Sequence, residues 1–261
     1  MKKNILFLLS IFFSFLLMSC VTTGFNDFYN PWYEDNFFPE TAYLKEGEIP
    51  EVIKTSDLDS KFREISSQWY WCIGSSGFNG AELSDLEIQQ ALTNLCTEKK
   101  AKIAIYSKEY TDTRSGVTST PYTNYHYYTD ANGYMHSYTT TSYSTRSYSI
   151  DRYDFSSYLF ISIPEDYKVI YIPGIATREL TQKDRDLYKQ NTGIIINTVY
   201  QNSSAFFANL SYGDIITNIN GTPIYSYDDF DKVKKMSNYG DVWNMTIVRF
   251  GQEKQVSLTY K

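Results

Sequence analysis

The chain has 261 residues, with 24 Lys and Arg against 30 Asp and Glu, a formal net charge of −6. That acidity is a poor match to nucleic acid or to an anionic bilayer surface, and a content of 42% hydrophobic and 17% aromatic residues excludes a disordered tail. The length admits two domains.

Residues 1–20 read as a secretory signal. Lys2 and Lys3 precede an apolar run from Ile5 to Met18, shorter than the roughly 20 residues a membrane span needs. The run closes on Leu17-Met18-Ser19-Cys20, which resembles the bacterial lipobox. The resemblance implies cleavage before Cys20, lipidation of its thiol, and a membrane anchor worth about 0.8 kcal/mol per buried methylene. Val21 rather than Asp follows, which in lipoproteins of this type implies the outer membrane of the cell envelope. Loss of Lys2 and Lys3 takes the formal charge from −6 to −8.

Residues 21–55 include "FNDFYNPWYEDNFFPETAYL", too aromatic for a flexible polar tether and expected to pack on a folded surface. An α/β module follows over 56–163. Ser56-Asp57-Leu58-Asp59 opens a helix with Leu58, Phe62 and Ile65 on one side. "WYWCIGSSGFNG" reads as a strand entering a Gly-rich turn, Ser84-Asp85-Leu86-Glu87 as a capping box for a helix with Ile88, Ala91, Leu92 and Leu95 facing the core, and "AKIAIYS" as a second strand. This is a β-loop-α-β unit. Cys96 falls on the apolar face of that helix and Cys72 on the strand beside it. A disulfide and two buried thiols are both compatible with that placement.

From Tyr106 to Tyr158 the composition shifts to Tyr, Thr and Ser. Two β-prone runs flank Asp130-Ala131-Asn132-Gly133, a hairpin signal with a weakly specified register. "GSSGFNG", the following helix, "KIAIYSKEYTDTRSG" and Arg152-Tyr153-Asp154 before "YLFISI" together resemble an uncharacterised bacterial lipoprotein module.

The last stretch, 164–261, gives a consistent order of parts. "TGIIINTVY" is a buried strand and "SSAFFANL" a helical turn opened by Ser203 or Ser204. "GDIITNING" is a strand ending in a tight Asn220-Gly221 turn. "YSYDDFDKVKKM" is a helix capped by Ser226, with acids first and lysines last. "VWNMTIVRF", "GQ" and "EKQVSLTY" form a hairpin. Gly193 through Ile196, Ser204-Ala205, Ala208-Asn209-Leu210, Gly213-Asp214-Ile215-Ile216, Asn220-Gly221 and Gly240 together resemble a PDZ domain in the permuted strand order of bacterial periplasmic proteins. The fold expected is therefore a two-module α+β or α/β protein, ending in a partly open β-barrel with two helices. Asn209 stands where such domains usually have glycine, and asparagine tolerates a left-handed backbone.

The PDZ resemblance implies that an extended peptide or protein segment adds as a strand beside the stretch "VIYIPGIATREL", next to the long helix. The groove would be lined by Ile172, Gly174, Ile175, Ala176, Tyr227, Phe230, Val233 and Lys234, with Phe230 and Val233 serving equally as core. Pro173 has no N–H, so one possible donor to a terminal carboxylate is missing.

Familiar catalytic arrangements fail. Ser75 and Ser76 lie in a "GSSG" like the nucleophile loop of trypsin-like proteases, but His126 and His136 come after them, against the order in those enzymes. Two histidines without a third ligand make a weak zinc site. Asp228 and Asp229 sit at a helix start, and Glu179, Asp184 and Asp186 in an ordinary charged helix or loop. The expectation is a non-enzymatic, lipid-anchored peptide-binding adaptor with no metal or cofactor, whose partner is a segment of another envelope protein. The alternatives are a structural or surface-exposed lipoprotein, whose Tyr/Thr/Ser face mediates adhesion or self-assembly, and a hydrolase with an unrecognised site.

Overall fold

The computed structural model describes residues 24–34 and 37–261; the signal stretch and Cys20 lie outside the described residues. Two open sheets divide the fold, and the chain is a mixed α+β protein.

The first sheet has five strands: β1 (Tyr29–Pro31), β2 (Glu51–Lys54), β3 (Tyr70–Ala81), β4 (Ile103–Thr129) and β5 (Met135–Ser162), in the order β1-β3-β5-β4-β2. Only β2 with β4 is parallel. Strand alternation sends Ile103, Ile105 and Phe160 to one face and Ala104, Tyr106, Leu159 and Ile161 to the other. Helix α2 (Leu58–Ser67), N-capped by Asp57 through Ser60 N–H, covers the first face with Ile65 and Phe62. Helix α3 (Asp85–Lys99), opened by the expected Ser84–Glu87 capping box, covers the second with Ile88, Leu92, Leu95 and Cys96. The aromatic N-terminal stretch does pack: Phe25, from the short helix α1 (Gly24–Asp27), is fully buried between Phe78 and Phe155. β1 and β2 extend the same sheet.

One reading of this region is corrected, and one left open is decided. "GSSGFNG" is not a turn; β3 runs straight through it, antiparallel to β5. The small residues serve close approach instead. A Cβ on Gly74 would meet the Tyr29 hydroxyl at 2.4 Å, and the buried Ser76 hydroxyl donates to the Phe25 carbonyl at 2.8 Å. Cys72 and Cys96 are free and lie on opposite faces of the sheet, Cys72 with the α2 cluster and Cys96 with the α3 cluster. Burial pushes both thiols up to about 12.

β4 and β5 are the hairpin expected from the Tyr/Thr/Ser composition, but far longer than a sheet needs. Its register sets His126 against Tyr138 and His136 against Tyr128. The two histidines therefore do not face one another, and each stacks on a tyrosine, at 4.7 and 5.2 Å between centroids.

The second sheet is antiparallel throughout, in the order β11-β10-β8-β7-β6: β6 (Ile175–Glu179), β7 (Ile194–Val199), β8 (Ile215–Ile219), β10 (Val242–Arg249) and β11 (Gln252–Thr259), with β9 (Thr222–Pro223) beside β8. Short helices α4 (Glu165–Lys168) and α6 (Ser204–Phe207) lie in the connections of this half of the chain, and β7 is buried on both sides. Ile194 and Ile196 join Ile216, Phe230, Trp243 and Met245 in one cluster, and Ile195 joins Leu180, Ile215 and Val248 in another. Asn209 takes the left-handed backbone, φ 61°, that its position required. The Asn220-Gly221 turn has both residues at positive φ. In the last hairpin the positive-φ pair is Phe250-Gly251, one residue before the expected turn.

Candidate peptide-binding groove

The sheet ends at β6. One side of this strand pairs with β7 and, among the described residues, no strand pairs with the other. Helix α7 (Tyr227–Met236), capped by Ser226 through Asp229 N–H, runs beside that free side. Its hydrophobic residues anchor it: Phe230 is buried against Trp243 at 5.9 Å, and half-buried Val233 packs on the same cluster as Ile175.

Side chains bracket the cleft at both ends. Glu179, closing β6, accepts from Tyr227 N–H at the start of α7 at 2.5 Å. Lys234, in the last turn of α7, donates to the Ile170 carbonyl at 2.8 Å, ahead of the loop that leads into β6. Burial lowers the pKa of Lys234, and Asp231 on the same helix opposes that shift.

The loop itself, Ile172-Pro173-Gly174-Ile175, is held by its own bonds. Gly174 sits at φ +97°, where a Cβ would come within 2.0 Å of the Ser203 Cβ, so glycine is required. Its N–H donates to the Tyr171 carbonyl at 2.5 Å and its carbonyl accepts from Tyr200 N–H at 2.9 Å. The Pro173 carbonyl accepts from Ala205 N–H at 3.0 Å. Because Gly174 pairs inward with Tyr200, ladder alternation turns the N–H of the next residue, Ile175, toward the free side. Of the three successive loop positions, Pro173 has no donor, Gly174 has spent its own, and Ile175 keeps one.

The sequence-derived groove residues thus separate by role. Ile175 and Phe230 form the floor and belong to the core, Val233 is shared, Ala176 is half-buried on the edge strand, and Tyr227 and Lys234 stand at the two ends. Ile172 and Gly174 also line a cavity of about 330 Å³ with Trp69, Lys168, Val169, Ser203, Tyr239 and Lys261. This cavity lies beside the loop rather than between β6 and α7.

Sequence reasoning missed the support behind the loop. Trp69 of the N-terminal module stacks on Tyr200 at 4.2 Å and donates to the Gln201 carbonyl at 2.9 Å. Trp71 donates to the Tyr171 hydroxyl at 2.6 Å, and Gln201 N–H to the Ser67 carbonyl at 2.8 Å. Composition showed an excess of aromatics, but pairs a hundred or more residues apart leave no local period to read. On the far side of β6, Arg178 grips Asp184 with two bonds of 2.5 and 3.1 Å. The guanidinium holds that carboxyl well below the usual range, with help from Thr181. The helix α5 (Gln182–Tyr188) therefore starts on a capping box with structural work, where only an ordinary charged segment was expected.

A family model described as "PDZ domain" matches residues 174–259. These residues form a PDZ domain. Solved structures similar to it include the HtrA3 PDZ domain bound to a phage-derived ligand (FGRWV), 22% identical, covering 34% of this chain and 82% of that one with a TM-score of 0.30. The HtrA-type protease AlgW with a decapeptide is 17% identical, with 39% of this chain, 36% of that chain and a TM-score of 0.30. The match thus spans about a third of the AlgW chain. No curated protein matches.

Proposed function

We propose that this protein is a lipid-anchored, non-enzymatic adaptor whose PDZ groove holds an internal extended segment of another envelope protein. The observation that carries the reading is the free side of β6 lying open beside α7. An incoming strand gains backbone hydrogen bonds there, and contacts with the exposed Tyr227 and half-buried Val233 select its side chains. The state of the loop favours an internal segment over a chain end. A carboxylate needs several converging N–H groups, and Pro173 and Gly174 offer none. Cys20, by its lipobox context, supplies the anchor, and Val21 favours the outer membrane.

The test is a peptide-array screen on the full chain, each hit resynthesised with a free and an amidated C-terminus. Equal affinity of the two forms is expected; a strong preference for the free acid would overturn internal recognition, and an absence of hits would overturn the adaptor reading. Metabolic labelling with a palmitate analogue, lost in Cys20→Ser, checks the anchor.

A further inference from the structure

Beyond Arg152, β5 leaves the company of β3, and beyond Tyr106, β4 leaves β2. From the pair Thr113↔Asp151 to the tip, the two strands pair, among the described residues, with each other alone. Seventeen residues per strand at about 3.3 Å each make a ribbon roughly 55 Å long. A two-stranded ribbon alone in water is marginal, and each of its edges is a row of unpaired backbone groups.

The direction of those groups follows from one bond. Asp130 N–H donates to the Tyr134 carbonyl, and the register runs without interruption from Thr129↔Met135 to Thr113↔Asp151. Alternation then turns even-numbered N–H groups into the hairpin and odd-numbered ones outward on both strands. On β4 the outward row is broken near its middle, because position 121 is a proline and has no N–H. On β5 nothing breaks it. From Met135 to Ser149 every odd residue presents a donor and an acceptor, with Thr139, Thr141 and Tyr143 at the centre. Exposed edges are ordinarily protected by lysine, proline, a bulge or a cover. This one has no proline, no lysine and no bulge, and its only formal charge between Met135 and Ser149 is Arg146.

We propose that β5 pairs antiparallel with β5 of a second copy, giving a four-stranded ribbon β4-β5-β5-β4 about a two-fold axis. The edge asks for a strand, since what it offers is main-chain donors and acceptors. The second copy fits because a two-fold axis brings the same row against itself in complementary direction, and an almost uncharged row meets no like-charge opposition even though the whole chain is acidic. Thr, Ser and Tyr side chains from neighbouring strands then lie side by side on both faces. Pro121 stands on each outer edge, so the pairing closes at two copies instead of growing into a fibre. The inference is independent of the PDZ groove.

Sedimentation equilibrium of the full chain in detergent tests it against Thr141→Pro and Thr141→Lys. Residue 141 turns its N–H outward, so the proline removes a donor from the edge and leaves the hairpin ladder whole; the lysine adds charge without touching the backbone. A dimer is expected for the native chain, with self-association weakened at least about tenfold in both variants and unchanged circular dichroism. Single cysteines at 139, 141, 143 and 145, oxidised in envelope preparations, are expected to give disulfide-linked dimers at the positions nearest the axis. A native chain that stays monomeric at every concentration, a dimer indifferent to both variants, assemblies larger than two, or no cross-link at any of the four positions would each overturn the proposal.

Discussion

Gly174 is the position at which a single methyl group does most harm. With φ at +97° and Ser203 only 2.0 Å from a would-be Cβ, Gly174→Ala is expected to destabilise the PDZ domain by about 1–3 kcal/mol, read as a lower urea midpoint at constant slope. Asp184 gives a prediction in pH. Its native pKa is depressed by Arg178, so its contribution is complete at neutral pH, above the unfolded value of about 3.9, and is lost as pH falls through that value toward the lower native one. Asp184→Asn should therefore lower stability at pH 7 by about 1–3 kcal/mol and flatten the acid limb of the stability curve; a parallel shift at all pH values would contradict this. The cysteines are predicted by the same reasoning to be inert. Cys72 and Cys96 are buried thiols with pKa pushed up to about 12, and maleimide should label them only after denaturation.

At the scale of elements, α7 holds the domain together and borders the groove, and its two functions fall on different residues. Phe230 is 3% exposed against Trp243, whereas Tyr227 is 46% exposed at the mouth. Phe230→Ala is expected to cost about 3–5 kcal/mol. Tyr227→Ala should change stability by no more than about 0.5 kcal/mol while weakening peptides selected on the native groove, measured by fluorescence polarisation. Loss of binding without loss of stability distinguishes a pocket wall from core packing. Much of this helix was legible in the sequence: Ser226 as cap, acids first, lysines last, and Tyr227, Phe230 and Val233 three apart. The destination of Lys234 was not. Its bond to the Ile170 carbonyl joins residues 64 apart, and spacing along a helix carries no information about a loop it will meet.

Across the whole molecule, the PDZ loop rests on the other module. Trp69, at φ 67°, is pinned between Tyr200 and the Gln201 carbonyl, and Tyr171 bonds Trp71 just before the loop begins. Trp69→Ala is expected to remove about 2 kcal/mol or more and to split thermal unfolding into two calorimetric transitions, since the stacked pair links the modules. A single transition in that variant would show that other contacts couple them.

The sequence by itself determined the Ser84–Glu87 capping box, the helix capped by Ser226, the PDZ domain and the left-handed Asn209, because each follows from neighbours a few residues apart. It misread "GSSGFNG" as a turn, since small residues in a strand look like a turn until Tyr29 and Phe25 are known to press against them. Only the tertiary structure decided that Cys72 and Cys96 face opposite ways, that Gly174 spends its N–H within the loop, and that among the described residues β6 and β5 have free sides. Those outcomes depend on which distant backbone meets which, and hydrogen-bond partners brought together by folding leave no periodic trace in the chain.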